Sequence, residues 1–120
     1  MNTTRNIMLS ALIIAACSCT NDSTSDLVDG TALDHVSYEQ NVRPIIANNC
    51  LSCHGTTPLN GAPISLTTYS LVRNAVETKG LIGRISSEEG ASGHMPNGGP
   101  RLPQNLIDII VQWETEGFPE

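Results

Sequence analysis

Large apolar side chains are what this chain lacks. Tyr38, Tyr69, Trp113 and Phe118 are the only aromatic residues among 120. A small domain with so few bulky groups can hardly fill a core alone. Something besides side-chain packing must supply apolar bulk or covalent constraint. In exported proteins the usual constraint is a disulfide framework, so the four cysteines at 17, 19, 50 and 53 have to be placed first.

Cys17 closes a segment that reads as a targeting signal. Arg5 gives a short positive region, and Ile7 to Ala16 is almost wholly apolar. This run is roughly half the length that a membrane-spanning helix needs. The segment ends Ile14-Ala15-Ala16-Cys17, which resembles the lipobox of bacterial lipoproteins, cut before the cysteine and acylated on it. An ordinary secretory signal with a chance cysteine nearby is the alternative. Both export the chain. The lipobox resemblance implies residues 1–16 as signal peptide and an anchor on Cys17 at the periplasmic side of a bacterial membrane or at the outer membrane. With Cys17 lipidated, an odd number of thiols remains, which argues against a disulfide framework.

Loss of residues 1–16 removes Arg5 and no acid, so the formal charge goes from −6 to −7. A chain this acidic does not suit nucleic acid, which calls for a basic face. It suits a protein partner with a basic docking patch.

Residues 17–35 follow as an acidic stretch with no helical or alternating period, expected to be a flexible tether. Its length, taken over 18–34, spans ~60 Å fully extended and ~20–25 Å on average. The folded domain is expected over 36–120. Ser37 and Gln40 fit a capping box, ahead of a helix with Val42, Ile45 and Ile46 on one face that Pro44 should kink or interrupt. Residues 55–65 read as a loop. A second helix is expected from about Thr68 to Lys79, with Leu71, Val72, Ala75 and Val76 on one side and Gly80 as its left-handed stop. The glycines and prolines from Gly83 to Pro103 predict a long irregular stretch, which normally has a functional reason. A last helix starts at Pro103, carries Leu106, Ile109, Ile110 and Trp113 at i, i+3, i+4 and i+7, and ends at Gly117. No strand pattern is visible, so the fold class is all-α.

Between the first helix and the loop lies "NNCLSCHG", residues 48–55. Three chemistries use such a cysteine pair. A redox dithiol requires a thioredoxin-like strand–helix context, which a helix before and a loop after do not provide. A structural zinc site requires two more ligands at suitable spacing, and His35, His94 and Cys19 form no second pair. Covalent haem requires what is present: two thiols to add to the two vinyl groups, and an adjacent histidine as axial ligand. A porphyrin would also supply the missing apolar body.

"CLSCH", the helix leading into it, the downstream "HMPNGG" and the C-terminal amphipathic helix with its tryptophan together resemble the small class I cytochromes c. "YEQNVRPIIANNCLSCHG" is similar to haem domains of bacterial respiratory and surface lipoproteins. The resemblance covers roughly 36–120. It implies three to five helices wrapped around one covalently attached haem c, with first and last helices crossing. It also implies thioethers at Cys50 and Cys53, His54 as proximal and Met95 as distal iron ligand. The chain departs from the pattern at Pro44 and in lacking a clear Gly-Pro pair soon after His54. Pro58 and Pro63 are both candidates for orienting the loop whose carbonyl holds the His54 ring.

Met95 is the only methionine left once Met1 and Met8 are removed, and it lies in the glycine-rich loop, where the backbone can approach a ring closely. His94 is the nearest rival ligand, although a surface histidine is the plainer reading for it and for His35. Arg84 and Arg101 flank the loop and could pair with haem propionates or simply be solvated. Trp113 is expected in the core against the first helix, its indole N–H within possible reach of a propionate.

These readings lead to an expected monomeric, membrane-tethered electron carrier, not an enzyme, that passes single electrons between redox partners outside the cytoplasm, a terminal oxidase or another donor or acceptor. A small peroxidase or gas-binding haem protein would need a displaceable sixth ligand, and a zinc lipoprotein would have no redox role.

Overall fold

The computed structural model describes residues 33–120. The expected signal peptide, Cys17, Cys19 and the expected tether up to residue 32 lie outside the described residues. Among those described there are helices and no strand, as the periodicity predicts, and none of the helices is long and apolar enough to cross a membrane.

The chain enters through a π-helical turn, Tyr38–Val42, that runs directly into α1, Arg43–Asn49. Ser37 caps it by accepting from the Gln40 N–H. The reciprocal bond of the expected capping box goes elsewhere: Ser37 N–H donates to Asn41 Oδ1 at 2.9 Å, not to Gln40. Pro44 interrupts the helix in a specific way. It cannot donate an N–H, and the wide register of the π turn gives way to α1 immediately before it, leaving Pro44 in the first turn of α1, where no donor is missed.

Helix α2, Tyr69–Lys79, begins behind Thr68, whose hydroxyl accepts from Leu71 N–H, and stops at Gly80 with φ 66°. Val72, Ala75 and Val76 are buried, but Leu71, expected on the same face, is 39% exposed. The stretch expected to be irregular opens with a short helix, α3, Leu81–Ser86. Leu81 and Ile85 stand one turn apart and are buried, and that burial holds a segment whose Gly83 disfavours helix.

Helix α4, Gln104–Thr115, starts one residue after Pro103, which stands at the N-cap. Its inward face is rotated from the expected one: Ile107, Ile110 and Trp113 are buried, while Leu106 and Ile109 are only partly covered. The π turn and α3 both pack on α4, and α2 packs on α3.

The four aromatic residues form one cluster. Tyr38 and Tyr69 meet edge-on at 5.4 Å, Tyr38 and Trp113 lie 5.7 Å apart, and Phe118 is edge-on to Trp113 at 4.9 Å. Phe118 has φ 65°, which costs a non-glycine residue about 1–2 kcal/mol. Its contacts offset that cost: the Trp113 ring, the Arg73 guanidinium 5.0 Å above its own ring, and its carbonyl accepting from Tyr69 OH at 2.7 Å. Pro119 O accepts from both Tyr38 N–H and the Trp113 indole, so the chain end is stitched to both terminal helices. Trp113 is therefore core, against the first helix as expected, but its N–H is committed to Pro119 and reaches nothing else.

Residues 33–36 also lie on α4. Gln112 donates to Leu33 O, and Glu116 accepts from Val36 N–H at 3.0 Å and faces His35 Nδ1 at 2.8 Å. The last residues of the expected tether are thus held to the domain.

Candidate functional site

α1 ends at Cys50, its C-cap, and the chain then makes one further turn. Cys50 O accepts from Cys53 N–H at 3.1 Å and from His54 N–H at 2.8 Å. Residues three and four apart on such a turn share a face, so the spacing brings both thiols and the imidazole to one side. All three line a cavity of about 720 Å³, within the range of roughly 300–1,000 Å³ typical of cofactor-sized sites. Met95 lines the same cavity, 41 residues beyond His54. The four site residues expected from the sequence are therefore brought together.

The walls are chiefly aliphatic: Leu66, Ala75, Leu81, Ile85 and Leu102 are core residues that also face the cavity. No aromatic side chain lines it. The chain's few rings are gathered in the separate cluster around Trp113, leaving a cofactor-sized apolar volume that its side chains do not fill. Ala75 is on the face of α2 expected to be apolar, whereas Leu81 and Ile85 are not evident from the sequence, because the glycines around them mask their one-turn spacing.

Cys50 and Cys53 are free thiols, both partly buried. Burial pushes the Cys50 thiol up to about 11, opposite to the depressed value that a redox dithiol uses. Among the described residues, no three His, Cys, Asp or Glu side chains converge to hold a metal ion by themselves, so these residues assemble no closed zinc site.

His54 is held by the loop after it. Its Nδ1 lies 2.8 Å from Ile64 O. A carbonyl can only accept, so Nδ1 carries the proton and Nε2 keeps its lone pair, the form a metal ligand needs. Ile64 follows Pro63, so of the two prolines considered, Pro63 is the one beside the anchoring carbonyl. The loop is pinned at both ends of its path by Leu59 N–H donating to Cys53 O at 2.9 Å and Leu66 N–H to His54 O at 2.8 Å.

Met95 is half-buried, its N–H donating to Arg84 O at 3.0 Å. His94 is not a surface residue: it is 6% exposed and does not line the cavity. Its Nδ1 lies 3.0 Å from Ser87 O and its Nε2 3.2 Å from Gly99 O. Both ring nitrogens face backbone carbonyls, of which a neutral imidazole donates to one, and the ring is turned away from the cavity that Met95 lines. The sequence shows only one histidine in a polar loop, so nothing in it signals this burial.

The two arginines divide. Arg101 donates to Ser86 O, Leu102 O and Gln104 Oε1, and is not on the cavity wall. Arg84 is on the wall, although its guanidinium also donates to Lys79 O and Gly93 O. Lys79, at the end of α2, joins it there. Arg43 and Arg73 are paired with Glu39 and Glu77, whereas Lys79 and Arg84 have no acidic partner among the described residues. In an acidic chain, two cations without acids on the wall of an apolar cavity form a place for an anionic substituent. Lys79 was not singled out from the sequence, where it reads as an ordinary basic residue in a last helical turn.

Compared with known proteins, the chain matches no protein-family model, no curated protein and no solved structure.

Proposed function

We propose that the chain is a class I c-type cytochrome, a single-electron carrier that works outside the cytoplasm on a lipid anchor at Cys17. The observation that carries this reading is that Cys50, Cys53, His54 and Met95 all line one apolar cavity of about 720 Å³. The residues fit a haem group. Cys50 and Cys53 offer two thiols for thioether bonds, and His54 Nε2 and the Met95 sulfur are the two side-chain donors for axial positions. Lys79 and Arg84 are placed for its carboxylates.

Bound there, haem supplies reversible one-electron chemistry between ferrous and ferric iron. The chain's own part is to hold, bury and tune. The Ile64 carbonyl keeps His54 in one tautomer and strengthens it as a donor. The aliphatic walls exclude water, and a thioether partner favours the reduced state, raising the potential. With two protein donors no position is left for a substrate, which is why the reading is an electron carrier.

The test is the exported protein itself. Its reduced spectrum should show the narrow α-band of c-type haem, and denatured mass spectrometry should show one added haem that acid–acetone does not extract. A colourless polypeptide of unmodified mass would refute the proposal. Replacing Cys50 and Cys53 together by Ala should abolish the covalent mass and leave the domain unable to fold stably, since the ring is its missing apolar bulk.

A further inference from the structure

His94 is the one buried polar side chain among the described residues, and the function proposed above does not use it. Its position in the loop suggests a task. Ser87 closes α3, and Gly99 lies beyond Met95, where its N–H donates to Pro96 O at 3.1 Å. The imidazole reaches both, 3.0 Å to Ser87 O and 3.2 Å to Gly99 O. One ring thus lies between the start of the 87–99 segment and its end: with a single N–H, a neutral imidazole donates to one of the two carbonyls and packs against the other.

We propose that His94 is a positioning residue that holds the Met95 sulfur at the cavity by bracing this loop across Ser87 and Gly99. The inference rests on the reading of Met95 as an axial ligand and extends it. The loop has little else to define it. It has no regular structure, and Gly90, Gly93 and Gly98 all take positive φ, so its backbone would sample many conformations if released. Its other hydrogen bonds are few: Met95 N–H to Arg84 O at 3.0 Å, His94 N–H to Ala91 O at 3.0 Å, Ala91 N–H to Glu88 O at 3.0 Å, Ser87 Oγ–H to Gly83 O at 2.8 Å, and Arg84 Nη1 to Gly93 O at 3.3 Å. Gly93 belongs to the same device, because its φ of 80° is a left-handed conformation that side-chain-bearing residues rarely adopt.

Position matters more for this ligand than for His54. The thioether is a neutral, weakly basic donor, and the residues that orient a ligand decide whether it stays bound. His94 and Met95 are neighbours with opposite assignments: the first ring is turned to the loop's own carbonyls, the second side chain to the cavity. A brace on one residue fixes the other through a single peptide unit.

Two substitutions separate this role from simple core filling. His94→Leu keeps apolar volume but offers no hydrogen bond, whereas His94→Gln carries two amide hydrogens for the two carbonyls. They are to be compared with the wild-type exported, haem-bearing protein by three readouts: the near-infrared sulfur-to-iron band of the ferric form, the reduction potential, and carbon monoxide binding to the reduced form. His94→Leu should retain covalent haem but lose the band, shift the potential downward, and bind carbon monoxide more tightly, on the order of tenfold. His94→Gln should stay near wild type in all three. If His94→Leu does not accumulate, His94→Asn, too short to span both carbonyls, should show the same losses. Wild-type behaviour of His94→Leu, or equal losses in His94→Leu and His94→Gln, would overturn the brace. A wild type without covalent haem or without the sulfur band would instead refute the underlying ligand assignment.

Discussion

Nδ1 of His54 donates to the carbonyl oxygen of Ile64 across 2.8 Å. This bond joins the attachment turn to the far end of the loop behind it, so His54 is oriented by backbone ten residues away. It sets which nitrogen holds the proton and which faces the cavity. It also explains the loop's length. The chain must run out from His54 and return beneath its ring before α2 can begin at Tyr69.

Met95 is the residue on which the reduction potential should depend most. Met95→His should keep a six-coordinate haem but lower the potential by a sizeable part of the roughly 0.8 V that axial ligands span. Met95→Ala should open the site to carbon monoxide or cyanide. Redox titration and ligand-binding spectra measure both, and an unchanged potential in Met95→Ala would exclude Met95 as ligand.

Trp113 is fully buried at the centre of the aromatic cluster. Trp113→Ala should cost about 3–5 kcal/mol by the cavity it leaves, most of the stability of a domain this small. Trp113→Phe keeps a ring but loses the bond to Pro119 O, which still accepts from Tyr38 N–H, and the volume of the second indole ring; about 1–3 kcal/mol is expected. Denaturant unfolding of both variants gives the comparison.

Glu116 clasps the start of the domain to α4. The Val36 N–H, then the Gln112 amide and the nearby His35, hold its carboxyl below the usual carboxylate range. A folded value below the unfolded one means that the clasp contributes fully above the unfolded value and is lost as pH falls through the folded one. The stability difference between wild type and Glu116→Ala should therefore be present at neutral pH and vanish in acid. The residue lies at the surface and its His35 partner is exposed, so the difference should be small and reduced by salt. Unfolding midpoints measured across pH would show it, and a difference that grew in acid would contradict it.

Cys17 lies outside the described residues, and its proposed lipid is testable directly. Cys17→Ala should yield a soluble cytochrome or block maturation. Detergent partitioning equal to that of the wild type would place the anchor elsewhere.

Much of this protein is dictated locally. The turn at Cys50 to His54 brings two thiols and an imidazole to one side because residues at i, i+3 and i+4 must share a face of any helical turn. Thr68, Gly80 and the 3.6-residue periods fix α2 and α4 to within a residue, for the same reason: caps and periods act over a few neighbouring positions. The scarcity of aromatics is likewise a property of composition, and it is the ground on which an added apolar body is expected. What tertiary structure alone decides is everything that depends on which surface meets which. Leu106 reads as core and Ile107 as its neighbour, yet Ile107 is the more buried, because α4 turns its face toward the π turn and α3. Leu81 and Ile85 hold a helix among glycines because the core needs them. Lys79 becomes a cavity residue and Arg101 does not, by the path of the chain between α2 and α4. His94 is the clearest case. In sequence it is a polar residue in a polar loop, and it is buried because the loop folds back on itself, so that the carbonyls of Ser87 and Gly99, seven and five residues away, close over the ring.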